Sequence, residues 1–184
     1  SLLEQLVEVM PGHTVIYKDQ KLPLHLIPGG IAYPQTTCII GPGVVLDLEV
    51  LFEEIAFLKK CGIPDIESRL KISGRTHVTL PYHKDLDGLY ESLKNKPVGT
   101  TKRGIGPTYA DKSNRVGIRM YDLLLPEDEL IHKIEEATKV HNQVFKANNM
   151  EKCIVDCQKL GKQYHQYGES LKNYITDIEP LIFN

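Results

Sequence analysis

The chain changes character near residue 123, and that change limits which folds it can adopt. Before it, short runs rich in Val, Ile, Leu and Thr alternate with Gly or Pro clusters: His13 to Tyr17, Pro23 to Ile27, Thr37 to Ile40, Arg69 to Ile72 and His77 to Leu80. Such runs read as strands, with Lys18-Asp19-Gln20-Lys21 as the tip of a hairpin joining the first two. Between them, Leu48, Leu51, Phe52, Ile55 and Leu58 fall at helical spacing behind Asp47 as N-cap, and Cys61-Gly62-Ile63-Pro64 ends the pattern. Lys84 to Leu93 reads as a second helix, with Leu86, Leu89, Tyr90 and Leu93 on one side. Beyond residue 123 the pattern is helical. A stripe from Leu130 to Val144 follows Pro126, and Asn148-Asn149 breaks it. A further helical stretch from Met150 to Ile178 is weakened by Gly161 and Gly168. The expectation is an α/β fold: a partial mixed sheet with flanking helices over residues 1–122, then a helical subdomain over 123–184. Parallel strands need helices on both faces, and only two helices precede residue 120. The sheet is therefore antiparallel or mixed, or its partner strands lie outside this chain.

Composition narrows the function. With 41% hydrophobic and 25% charged residues, the 184-residue chain has the make-up of an ordinary globular domain. Its net charge of -2 argues against general nucleic-acid or membrane-surface binding. No apolar run approaches the ~20 residues that cross a bilayer. Ser1 to Met10 carries Glu4 and Glu8 without a basic start, so it does not read as a secretory signal. The four cysteines, Cys38, Cys61, Cys153 and Cys157, fit reduced thiols and a cytoplasmic location. Cys153 and Cys157, four apart on one helix face, would alternatively supply half a metal site, but no second pair follows at zinc spacing.

Three groups of residues carry candidate chemistry. The run Gly99-Thr100-Thr101-Lys102-Arg103-Gly104-Ile105-Gly106-Pro107-Thr108-Tyr109, followed by Asp111, Lys112 and Arg115, joins glycines, hydroxyls and cations in one loop. It can receive a small phosphorylated molecule, with threonine hydroxyls on phosphate oxygens and Arg115 and Arg119 as bidentate partners. It also fits a solvated glycine-rich surface loop. It is not a Walker A sequence. His13, in Gly12-His13-Thr14, can act as a general acid or be an ordinary histidine. The other six histidines show no metal spacing, and His25, in an apolar run, reads as hydrogen-bonded and structural. Asp47, Glu49, Glu53 and Glu54 read as capping and solubility.

Gly99 to Lys112 resembles the inosinate-binding loop of the adenylosuccinate synthetase family. Gly12-His13-Thr14-Val15, His25-Leu26-Ile27-Pro28-Gly29-Gly30-Ile31 and Gly41-Pro42-Gly43-Val44-Val45 match that family in the same order, as do Arg69-Leu70 with Ser73 and Tyr82-His83 through Leu86-Asp87. The likeness runs from about residue 12 to 125, and more weakly to the end. It implies a GTP-dependent, magnesium-using ligase that joins inosine monophosphate (IMP) and L-aspartate: GTP phosphorylates the purine 6-oxygen and aspartate displaces that phosphate. It implies that His13 is the general acid and touches both GTP and inosinate. Gly12, His13 and Thr14 bind GTP, and the Gly12 carbonyl helps hold Mg2+. Thr101 binds the inosinate phosphate, and Arg115 reaches across a homodimer interface to the neighbouring inosinate.

Departures from the pattern add a second expectation. The family's Gly-Asp-Glu-Gly-Lys-Gly-Lys phosphate loop, with its catalytic aspartate, has no counterpart before Gly12, and Met10 stands where the family has an inosinate-contacting asparagine. The guanine-recognition and aspartate-binding segments have no counterpart either. Gly29, Pro42 and Lys102 replace serine, asparagine and glycine. The expectation is a central fragment of a synthetase, through truncation, a split gene or an incomplete gene model, inactive by itself and active when a complementary chain is supplied. The alternative is a non-catalytic paralogue that binds IMP or a protein partner.

Overall fold

Local sequence accounts for most of the elements. The computed structural model describes residues 13–94, 99 and 101–183. In chain order they form β1 (His13–Tyr17), β2 (Gln20–Leu24), β3 (Cys38–Ile40), β4 (Val45–Asp47), α1 (Leu48–Lys60), α2 (Ile66–Arg69), β5 (Leu70–Ser73), β6 (His77–Thr79) and α3 (Pro81–Ser92). There follow α4 (Ile105–Asn114), α5 (Glu127–Ala147), α6 (Cys157–Leu171), β7 (Ile175–Thr176) and α7 (Glu179–Phe183). The fold is mixed α/β, and backbone packing groups it into two compact units, one ending at Thr76 and resumed from Ser170, the other running from His77 to Glu169. The compositional boundary at 122/123 falls inside the second.

In the first unit β1 and β2 pair antiparallel, from His13 opposite Leu24 to Tyr17 opposite Gln20. Only Lys18 and Asp19 form the turn, both at positive φ (47° and 62°), the geometry whose twist matches a two-residue hairpin. The second strand therefore begins at Gln20, not at Pro23 as expected, and His25 to Ile27 leave the ladder. A separate parallel sheet has the order β3-β5-β7, with Ile40 opposite Ile72 and Ile72 opposite Ile175. Asp47 caps α1 by accepting the N–H of Glu49 and Val50, and the face carrying Leu48, Leu51, Ile55 and Leu58 is buried.

In the second unit α5 contains the expected stripe from Leu130 to Val144 and begins directly after Pro126, and Asn149 at φ 55° follows its end. The single helix expected over 150–178 is instead a 3-10 turn at Glu151–Cys153, then α6, then strand β7, where the chain has returned to the first unit. Asp156 starts α6 by accepting the Lys159 N–H, and the Ile72 N–H draws the Tyr174 carbonyl into the sheet at 2.7 Å. Gly161 and Gly168 do not divide α6. A Cβ at Gly161 would collide with the Ile131 side chain of α5, and one at Gly168 with the Leu123 carbonyl, so their smallness permits close packing.

Candidate functional site

Of the residues expected to bind GTP, Gly12 lies outside the described residues. His13 opens β1, and Thr14 beside it is exposed. What fixes this hairpin end is Glu54 of α1. Its carboxylate, 6% exposed, accepts the N–H groups of His25 at 2.5 Å, Leu26 at 3.1 Å and Ile27 at 2.9 Å. The half-exposed His25 ring places Nδ1 3.4 Å from the same carboxylate. Farther along, the buried Arg69 guanidinium donates to the carbonyls of Ile31 (2.9 Å), Tyr33 (2.8 Å), Thr36 (3.2 Å) and Pro64 (2.7 Å). A buried anion thus holds the amide end of the segment from His25 to Thr36 and a buried cation its carbonyl end. Glu54 is not a solubility residue, as the sequence suggested. It lies at i+3 from Leu51 and i-4 from Leu58, on the apolar face, and that position was the available signal.

The basic loop is only partly a loop. From Ile105 it is helix α4, with Pro107 in the first turn, where its missing N–H costs no intrahelical bond. Gly104 sets the entry. Its φ is 74°, its N–H donates to Asp87 Oδ2 at 3.0 Å, and a Cβ would stand 2.8 Å from the His83–Lys84 peptide. Only glycine satisfies both the angle and the contact. Gly99 donates its N–H to Glu91 Oε1, also on α3. Tethered at these two points, the loop exposes Thr101, Lys102 and Arg103 just ahead of the N-terminus of α4, whose N-cap is Gly104. Thr108 Oγ1 donates to the Gly104 carbonyl at 2.7 Å and reinforces the turn. Thr100 lies outside the described residues.

Arg115, exposed, caps the other end of α4 in the left-handed region at φ 63°. The ten residues of the helix span ~15 Å, so Thr101 and Arg115 flank opposite ends of one element. Beneath lies a cluster that the sequence did not announce. Asp111 of α4, 1% exposed, meets Tyr82 Oη at 3.0 Å, His83 Nε2 at 3.0 Å and His141 Nε2 at 2.9 Å. Burial alone would push the Asp111 carboxyl up, but the hydrogen bonds from His141 and His83 outweigh it and hold it well below the usual carboxylate range. Burial pushes His83 down, against the Asp111 carboxylate that raises it, and pushes the Tyr82 phenol well up, with the Asp111 charge adding to it.

Among the described residues no group of three or more His, Cys, Asp or Glu side chains is placed to hold a metal ion. Cys153 sits in a 3-10 turn and Cys157 opens α6, so they do not share one helix face as expected, and all four cysteines are free thiols. No described helix is long and apolar enough to cross a membrane.

A family model described as adenylosuccinate synthetase matches residues 10–184. The adenylosuccinate synthetase of Heliobacterium modesticaldum is 47% identical over 176 residues, covering 93% of this chain and 39% of that protein. That of Acetivibrio thermocellus is 47% identical over 174 residues, covering 94% and 40%. The fully ligated adenylosuccinate synthetase from Plasmodium falciparum superposes with a TM-score of 0.78 at 28% identity, covering 97% of this chain and 41% of that one. The chain thus spans about two fifths of the length of the relatives it matches.

Proposed function

Because the chain belongs to the adenylosuccinate synthetase family, we propose that it supplies the inosinate-phosphate loop and the general-acid histidine of a GTP-dependent ligase that forms a C–N bond between IMP and L-aspartate. The observation that carries this reading is the construction of the loop from Gly99 to Arg115. Two carboxylates of α3 tether it by its own backbone, through Gly99 and Gly104, so that its hydroxyl and cations are exposed beside the N-terminus of α4. Hydroxyl, cation and helix-end amides are the donors a phosphate monoester uses, and their fixed placement lowers the entropy cost of binding.

In this reading Thr101 donates to the inosinate phosphate. Arg115, at the far end of α4, serves a different phosphate, that of the neighbouring subunit in a homodimer, and the separation along the helix supports this division. His13 at the head of β1 gives a proton to the oxygen that leaves, while Gly12 and Thr14 contact the GTP phosphates. Magnesium would add charge stabilisation on those phosphates. The donor assigned to it, the Gly12 carbonyl, lies outside the described residues. The protein works in the cytoplasm.

Titration calorimetry with inosine monophosphate tests the reading, run beside turnover with GTP and aspartate supplied. Thr101→Ala should weaken inosinate binding by roughly tenfold, the worth of a hydrogen bond to a charged group. Unchanged affinity in that variant refutes the loop's assignment. Tight inosinate binding with no ligation under any supplementation refutes the catalytic reading and leaves a binding paralogue.

A further inference from the structure

A buried carboxylate is costly unless its oxygens are all engaged, and Asp111 engages them with three side chains from two helices. Tyr82 and His83 come from α3, which also tethers the loop, and His141 comes from α5. The His83 tautomer is fixed: Nδ1 accepts the Leu80 N–H at 2.9 Å, so the ring hydrogen sits on Nε2 and points at Asp111. Asp111 has a second task through its backbone. Its carbonyl accepts the N–H groups of Val116 at 3.0 Å and Gly117 at 3.2 Å, closing the turn in which Arg115 adopts φ 63°. An arginine in the left-handed region is strained, and it persists only where its surroundings enforce it. Here the residue that locks the rotation of α4 also closes that turn, one helical turn before Arg115.

We propose that Asp111 is a positioning residue: clamped by Tyr82, His83 and His141, it holds the α4 C-terminal turn so that the Arg115 guanidinium is presented to a phosphate monoester. This rests on the reading of Arg115 as a ligand of inosinate. The clamp favours a carboxylate through its charge: asparagine at 111 can keep its oxygen on Tyr82 and His83 and offer its amide to His141 as acceptor, but three charge-assisted hydrogen bonds then become weaker neutral ones.

The test uses the full chain in four forms: unsubstituted, Asp111→Asn, Arg115→Ala and the double variant. Amide hydrogen exchange at Val116 and Gly117 reports the turn without any ligand, and calorimetry with inosine monophosphate reports binding. Asp111→Asn should speed exchange at those two amides. It should weaken binding by roughly tenfold, within the coupling range of residues in one network, and this loss should vanish in the Arg115→Ala background. If exchange does not change, or the loss is equal in both backgrounds, Asp111 is not acting through Arg115 and the proposal falls. An Arg115→Ala protein that binds inosinate as tightly as the unsubstituted chain overturns it from the other side. That failure belongs to the ligand assignment, and it is recognised because the exchange rates still respond to Asp111→Asn. If Asp111→Asn does not fold, Tyr82→Phe removes one donor while keeping the ring and enters the same cycle.

Discussion

Two buried charges, Glu54 and Arg69, hold the backbone that leads away from the His13 hairpin, and each does so in a way its near-equivalents cannot. A carboxylate accepts from three successive amides because both oxygens are acceptors, whereas glutamine turns an N–H2 toward amide donors. Glu54→Gln should cost about 1–3 kcal/mol, the range for a buried donor left unsatisfied, as read from urea unfolding midpoints. A larger effect belongs to Arg69. Its fork reaches four carbonyls at once, and a single ammonium on a lysine stem cannot. Arg69→Lys should therefore destabilise the chain by more than Glu54→Gln does. Equal unfolding midpoints for the two variants would mean that the carbonyl cage is satisfied by solvent.

Among the elements, α4 and α6 show how glycine reads differently in different places. The sequence marks Gly161 as a weak point in a helix, but the packing makes it the residue that lets α6 close on Ile131 of α5. Gly161→Ala should destabilise by about 1–3 kcal/mol through overpacking, despite the ~1 kcal/mol of helix propensity that alanine gains. Gly88 in α3 is the contrast, because a Cβ there meets nothing within 4 Å. Gly88→Ala should raise the melting temperature, so the same substitution in two helices has opposite signs. If Gly161→Ala also raises it, the contact with Ile131 is slack. In α4, Gly-Ile-Gly-Pro looks like loop in sequence because glycine and proline are turn residues. Proline in a first turn is compatible with a helix, and Gly104 serves the entry angle and the close approach to α3.

At the scale of the whole molecule, acid should act first on the second unit. His77, 5% exposed, is lowered from the usual 6.5 to about 4 by burial and by the charges of Arg119 and Lys112, against weaker opposition from Asp122 and Asp111. His83 is lowered by burial, and Asp111 is held below the usual carboxylate range. All three bind fewer protons folded than unfolded, so their contribution is fully present above their unfolded values and is lost as pH falls. The loss begins as pH drops below 6.5 and grows toward about 4 as unfolded histidines take protons that the fold refuses, and Asp111 adds to it at lower pH. Melting temperature should fall across that window, and less steeply in His77→Gln. An equal slope in that variant would assign the acid sensitivity to other groups.

The sequence by itself determined the family, through motifs whose order is preserved, and it determined β1, β3, β5, β6, α1, α3 and α5, whose patterns are local. It also marked the loop residues Thr101 and Arg115 as phosphate donors, an assignment that the proposed experiments address. Tertiary structure alone decided the rest. The Glu54 bonds span 27 to 29 positions, the Asp111 cluster 28 to 30, and Arg69 reaches Ile31 across 38. Helical and strand periodicity report a residue's face over a few neighbours, so they place Glu54 in a helix without saying what lies opposite, and they leave Asp111 in a loop. A buried charge takes its meaning from that opposite side, because its desolvation cost is met only by groups that the fold brings to it.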